Sequence, residues 1–236
     1  MNISSVMKYL FLLFLFPLSA NASDCVILLH GLARTDGSMS RLEKVLEKNN
    51  YKVANISYPS RNYEIDQLAE KTIPKALSLC KDSPSVNFVT HSMGGILVRQ
   101  YLKNEKIENL KHVVMLGPPN QGSEIVDKMS KIPGFKSING PAGLQLGTTE
   151  VSVPSTLGPA NFSLGIVAGT KSINLFLSAM LPKPNDGKVS VQSTKLEGMK
   201  DHVSMPVTHP FMMRNKKVIN QVLYFLENGK FKKDEP

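Results

Sequence analysis

The chain lacks internal repeats and low-complexity stretches, which excludes a repeat architecture. Cysteine is nearly absent. Only Cys25 and Cys80 occur, and no Cys/His cluster has the spacing of a metal site, so neither a metal nor an organic cofactor is expected. Long apolar runs are missing as well. The one near the N-terminus, Tyr9 to Leu18, is about ten residues long, against the ~20 that a membrane-spanning helix needs. Lysine and arginine are spread along the chain without aromatic interleaving or a recognisable binding motif, so nucleic acid is not an expected partner.

What is present is enough for one substantial core: 42% of the 236 residues are apolar. At the start, Lys8, the apolar run and then Ser19-Ala20-Asn21-Ala22 have the layout of a secretory signal peptide, residues 1–22, cut after Ala22. Asp24 stands before Cys25 where a lipoprotein would carry small residues, which argues against lipidation. Export to the periplasm or the exterior places Cys25 and Cys80 where disulfides form, and they are expected to pair. The formal charge is +9, and losing the first 22 residues, whose only charge is Lys8, leaves +8. A basic exported protein is drawn to anionic membrane surfaces, so transient contact with them is expected.

Five short apolar runs alternate with helical patterns: CVILL at 25–29, KVANI at 52–56, VNFVT at 86–90, HVVML at 112–116 and LGIVA at 164–168. Their β-branched content and length suit buried strands of a parallel sheet. Helical periodicity occupies 40–48, 65–80 (with Pro74 expected to kink it) and 95–103. The class is therefore α/β, a mostly parallel central sheet with helices on both faces. Functional groups should then collect beyond the carboxyl ends of the strands, where His30, Ser92 and Gly117 fall. Cys25 and Cys80 belong to the opposite rim. The domain is expected to span 23–228, with a cap-like loop region near 118–165: a short helix at 124–131, then irregular chain over 133–159. A last strand near 203–207, an amphipathic helix at 214–227 and a flexible tail from 229 to 236 complete the reading.

In "VNFVTHSMGG", Ser92 sits between a strand and a helix. A tight turn there lifts the hydroxyl above the sheet and aims the next N–H at a reacting carbonyl, aided by the helix N-terminus. The turn also crowds the positions two residues either side. Gly94 meets that demand, whereas Thr90 stands where glycine is commoner.

This segment resembles the nucleophile elbow of the α/β-hydrolase superfamily, and His-Ser-Met-Gly is similar to small secreted bacterial lipases and esterases. The resemblance implies that Ser92 is a nucleophile. "CVILLHGLARTDGSM" resembles the superfamily's oxyanion loop, which implies that the N–H groups of Leu32 and Met93 receive the oxyanion. The superfamily's order of serine, acid and histidine leaves His209 and His202 as bases, with His209, in "MPVTHPFMM", at the position of the family's base. "KPNDGKVSVQS" resembles the Asp-Gly-x-Val segment that supplies the carboxylate, making Asp186 the acid, with Asp201 and Asp127 as weaker candidates. Asp186 read from its residues alone is also a plain turn aspartate before Gly187. "MLGPPNQGSEIVD" resembles a stretch in which Gln121, Gly122 and Ser123 line the cleft.

The implied activity is carboxylic ester hydrolysis through an acyl-enzyme, with lipid or acyl esters as substrates. Residues 172–181, "SINLFLSAML", are either the wall of an acyl pocket or core. An acyltransferase or thioesterase would use the same triad. A non-catalytic lipid- or partner-binding module on the same fold would be marked by loss of a triad member.

Overall fold

The structure, a computed structural model, describes residues 22–233. The expected signal segment, 1–22, lies outside the described residues except for Ala22. Among the described residues there are six strands: β1 (Cys25–Leu29), β2 (Lys52–Ile56), β3 (Val86–His91), β4 (Leu110–Leu116), β5 (Leu164–Gly169) and β6 (Asp201–Met205). They form one sheet in the order β2-β1-β3-β4-β5-β6, and every pairing is parallel. Successive side chains of a strand point to opposite faces, and here both faces are covered. Cys25, Ile27 and Leu29 meet α2 (Ile65–Leu79) and α3 (Met93–Asn104) on one side. Val26 and Leu28 meet α1 (Ser40–Lys48) and the C-terminal helix (216–228) on the other. That two-sided burial is why β1 reads as an unbroken apolar run.

Cys25 and Cys80 are bonded, with their Cα atoms 5.7 Å apart, at the rim away from the carboxyl ends of the strands. The bond closes a separation of 55 residues, which on a chain-entropy account stabilises the fold by about 4 kcal/mol.

Several boundaries differ from the sequence reading. α2 runs through Pro74 and ends at Leu79, one residue short of the expected 80. The stretch expected to be irregular over 133–159 holds two helices, α5 (Phe135–Leu144) and α6 (Val153–Thr156), after α4 (Glu124–Met129). Gly140, at φ 68°, bends α5, and the residues α5 buries are Gly140, Ala142 and Gly143. These small side chains leave no apolar stripe to read. After β5 come α7 (Leu175–Ala179) and α8 (Val191–Thr194). The last strand is β6 rather than 203–207, because Pro206 has no N–H to continue the pairing and the chain turns there. The closing helix, α9 (Lys216–Asn228), starts two residues later than 214, where Asn215 accepts hydrogen bonds from the N–H groups of Lys217 and Val218. Residues 229–233, expected to be a flexible tail, are docked: Phe231 is buried, and its N–H donates to Asp201 Oδ2 at 2.8 Å.

The segment between β4 and β5 is tied to the sheet layer by Arg99 of α3. Its buried guanidinium donates to Asn120 O at 2.9 Å, Pro154 O at 3.1 Å and Gly158 O at 2.9 Å. Burial pushes its pKa down to about 10.

Candidate active site

β3 ends at His91 and α3 begins at Met93, leaving Ser92 alone on the turn with φ 54° and ψ −123°. A positive φ costs a non-glycine residue of order 1–3 kcal/mol and persists only where the surroundings impose it. Here Ser92 N–H donates to Leu116 O at 2.9 Å, and the first turn of α3 presses against β1. A Cβ added at Gly94 would lie 2.7 Å from Leu29 O and 2.9 Å from His30 O, so only glycine permits this approach. At Gly31 an added Cβ would lie 2.9 Å from His91 Nδ1 and 3.1 Å from Ser92 Cβ, which packs the loop after β1 directly against the turn. Among the described residues, neither Leu32 N–H nor Met93 N–H donates to another protein group. Thr90, at the position where the turn favours glycine, is fully buried in β3.

Asp186 sits in a loop before α8 and is 1% exposed. Its Oδ1 accepts from Lys188 N–H at 2.9 Å and Val189 N–H at 2.8 Å. Its Oδ2 accepts from His209 Nδ1 at 2.7 Å. This buried pair has the arrangement of a catalytic acid and base. With Nδ1 committed to Asp186, Nε2 is the ring nitrogen left to face the cleft that His209 and Ser92 both line. Ser92 and His209 form no direct hydrogen bond. Such contacts are often long without substrate and tighten when it binds.

His91 contributes in a way its sequence position did not reveal. Its Nε2–H donates to the carbonyl of His209 at 3.0 Å, holding the backbone of that residue. Complete burial, followed by the nearby His209, lowers the His91 pKa well below the ordinary 6.5, so the ring is neutral near pH 7. A histidine inside an otherwise buried strand was the available signal. His30 is structural: it stacks on Tyr58 with ring centroids 4.0 Å apart, and the Tyr58 hydroxyl donates to its carbonyl. Gly117, which the sequence placed at the carboxyl-end edge of the sheet, has φ 57°. A Cβ there would lie 3.0 Å from Asp186 Oδ2 and 3.2 Å from His209 Nδ1.

The other candidates lie elsewhere. His202 Nε2 shares a hydrogen bond of 3.0 Å with Thr194 Oγ1, away from the cleft. Asp201 accepts from His202 N–H and Phe231 N–H, and Asp127 accepts from Thr148. Of the three residues expected to line the cleft, Ser123 does so, and its hydroxyl donates to Lys188 O at 2.8 Å. Gln121 instead borders a separate polar cavity beside Arg99. Within 172–181 only Leu177 reaches the cleft, while Leu175 and Phe176 are 80% and 73% exposed.

The cleft has a volume of about 490 Å³. One wall is apolar, built from Ile125, Met129, Phe135, Ile138, Leu146 and Leu177 of α4, α5, the loop after α5 and α7. The floor holds Ser92, His91 and His209, and among the described residues that line the cleft the Lys and Arg side chains are Arg34 and Lys188. The arrangement can bring an uncharged chain to one side of a hydroxyl and an imidazole.

No protein-family model matches the chain, and no curated protein sequence matches it. Solved structures do. The mature form of Bacillus licheniformis lipase BlEst2 is 18% identical with a TM-score of 0.69, over 87% of this chain and 92% of that one. Phospholipase PlaB from Legionella pneumophila, in complex with thio-NAD, is 18% identical with a TM-score of 0.62, over 87% of this chain and 62% of that one. The lin2722 gene product of Listeria innocua is 17% identical with a TM-score of 0.60, over 90% and 96%. At these identities the likeness concerns architecture, and together with the parallel sheet and its flanking helices it identifies the α/β-hydrolase fold.

Proposed function

We propose that the protein is an exported serine hydrolase that cleaves carboxylic esters of lipids or other acyl compounds. The observation that carries this reading is that Ser92 and the Asp186-bound imidazole of His209 line one partly apolar cleft. In the proposed reaction, Ser92 Oγ attacks the ester carbonyl while His209 Nε2 takes its proton. Asp186 holds the imidazole tautomer with the proton on Nδ1 and stabilises the imidazolium that forms. The developing oxyanion is received by the N–H groups of Leu32 and Met93, which have no protein acceptor among the described residues, and the dipole of α3 adds to them. The alcohol leaves with the proton from His209. Water then attacks the acyl-serine with His209 again as base, releasing the acid.

The Cys25–Cys80 bond supports export, because such bonds persist in oxidising compartments. The apolar wall supports an acyl substrate, and a basic surface with exposed aliphatic side chains beside the cleft supports transient contact with an anionic membrane. The test is hydrolysis of p-nitrophenyl esters from short to long chains by the parent and by Ser92→Ala. The parent should turn over these esters and Ser92→Ala should lose at least about a thousandfold in kcat. Activity surviving the substitution would overturn the mechanism. Transfer of the acyl group to an added alcohol in preference to water would mark an acyltransferase.

A further inference from the structure

Among the described residues that line the cleft are two cations and no acid. Arg34 follows the loop that carries Leu32, and Lys188 follows Asp186, so the two are far apart in sequence yet line one cavity with Ser92 and His209. Neither cation has a salt-bridge partner among the described residues. Both are also mounted on fixed backbone. Lys188 N–H donates to Asp186 Oδ1 at 2.9 Å, and its carbonyl accepts from Ser123 Oγ at 2.8 Å. Ala33, just before Arg34, has φ 54° and donates its N–H to Ser60 Oγ at 3.0 Å.

Partial burial lowers the Lys188 pKa, Asp186 works in the opposite direction, and Arg34 lowers it further, so the two cations repel each other across the cleft. Two unpaired cations facing one cavity constitute a field that an anion would relieve. The remaining wall is aliphatic and aromatic, which suits an uncharged chain.

We infer that the preferred substrate is an amphiphilic ester bearing an anionic group, a phosphate or a carboxylate, a few atoms from the scissile bond and held by Arg34 and Lys188. This rests on the proposed ester-cleaving reading. The acyl chain lies along α4, α5 and α7, and the anion lies at the opposite end with the alcohol portion. Phosphate suits Arg34 as a planar donor fork and Lys188 as a point charge.

The experiment compares monooctanoylglycerol with its glycerol phosphate counterpart, which differ only in that phosphate. The parent should favour the phosphate form in kcat/KM by about fivefold to tenfold at low ionic strength, and the preference should shrink as salt is added. In Arg34→Gln/Lys188→Gln the ratio should fall to near unity, whereas the charge-retaining Arg34→Lys/Lys188→Arg should keep most of it. A parent ratio near unity, or a ratio unchanged in the glutamine variant, overturns the inference while leaving ester cleavage intact. If no ester is cleaved, the hydrolase reading fails, and calorimetric binding of the same two amphiphiles to the parent still decides the inference. Phosphate-dependent binding lost in the glutamine variant supports it, and equal binding sinks it.

Discussion

His209 is joined to Asp186 twice: Nδ1 donates to Oδ2 at 2.7 Å, and the His209 backbone N–H donates to the Asp186 carbonyl at 3.1 Å. The main-chain bond keeps the two residues together even when the side-chain bond is altered. Asp186→Asn should therefore remain folded while losing the acceptor that fixes the imidazole tautomer. We expect kcat on p-nitrophenyl butyrate to fall by about a thousandfold or more, with KM little changed. Near-parental kcat in a folded Asp186→Asn would remove the acid from the mechanism.

Gly117 connects backbone conformation to the same pair. At φ 57° any side chain is strained, and a methyl group would press on both Asp186 Oδ2 and His209 Nδ1. Gly117→Ala should cost about 1–3 kcal/mol in unfolding free energy. It should also lower kcat more than a comparable strain placed far from the cleft, because the added atom displaces the pair itself. Chemical denaturation and ester kinetics measured on the same preparation test this. A stability loss with unchanged kcat would show that the Asp186–His209 geometry is not sensitive to Gly117.

Much of this was legible in the sequence, and the reason is burial. A strand covered on both faces is apolar throughout, so β1 could be delimited residue by residue, whereas β2, at the sheet edge, buries only Ala54 and Ile56, and the alternation of such runs with helices implied the parallel sheet. Ser92 stood out because a strand, a serine and two glycines are needed together for a helix to start that close to a sheet. The segment between β4 and β5 was less readable. α5 packs through Gly140, Ala142 and Gly143, and small residues carry no hydrophobic period. The second role of His91 was hidden for another reason. Its hydrogen bond reaches residue 209, and no local pattern announces a contact 118 positions away. Docking of Phe231 depends in the same way on Asp201, thirty positions earlier.

The neutral histidines set a pH dependence. His91, His30, His112 and His202 all have pKa values lowered from 6.5, with burial the largest cause in each. In the unfolded chain these rings bind protons near pH 6.5, whereas the folded state resists protonation until lower pH. The unfolded state thus binds more protons in that window, so stability is fully present above pH 6.5 and falls as the solution is acidified through and below it. His91, fully buried and bonded to the His209 carbonyl, should contribute the largest share. Thermal unfolding of the parent should show Tm falling below about pH 6.5, and His91→Gln, though less stable at neutral pH, should show a flatter slope. Equal slopes for the two proteins would place the pH sensitivity elsewhere.

Membrane contact can be tested separately from catalysis. Ile132 and Ile138, 50% and 62% exposed, line the cleft, and Leu175 and Phe176 stand on the helix whose Leu177 enters it. The chain from residue 128 to 183 that carries them holds Lys128, Lys131, Lys136, Lys171 and Lys183, and its only acidic residue is Glu150. Aliphatic side chains among lysines fit a surface with an apolar interior and anionic headgroups, and each lysine near such a surface adds about 1 kcal/mol of attraction. The protein should therefore cosediment with vesicles containing phosphatidylglycerol in preference to vesicles of phosphatidylcholine alone, less so in high salt. Burying one large apolar side chain is worth about 1.5–3 kcal/mol, so Leu175→Ser/Phe176→Ser should weaken vesicle binding by tenfold or more. Hydrolysis of soluble p-nitrophenyl butyrate by that variant separates a lost surface from a lost fold. Equal affinity for both vesicle types, or a variant that binds as the parent does, would remove this face as the membrane contact.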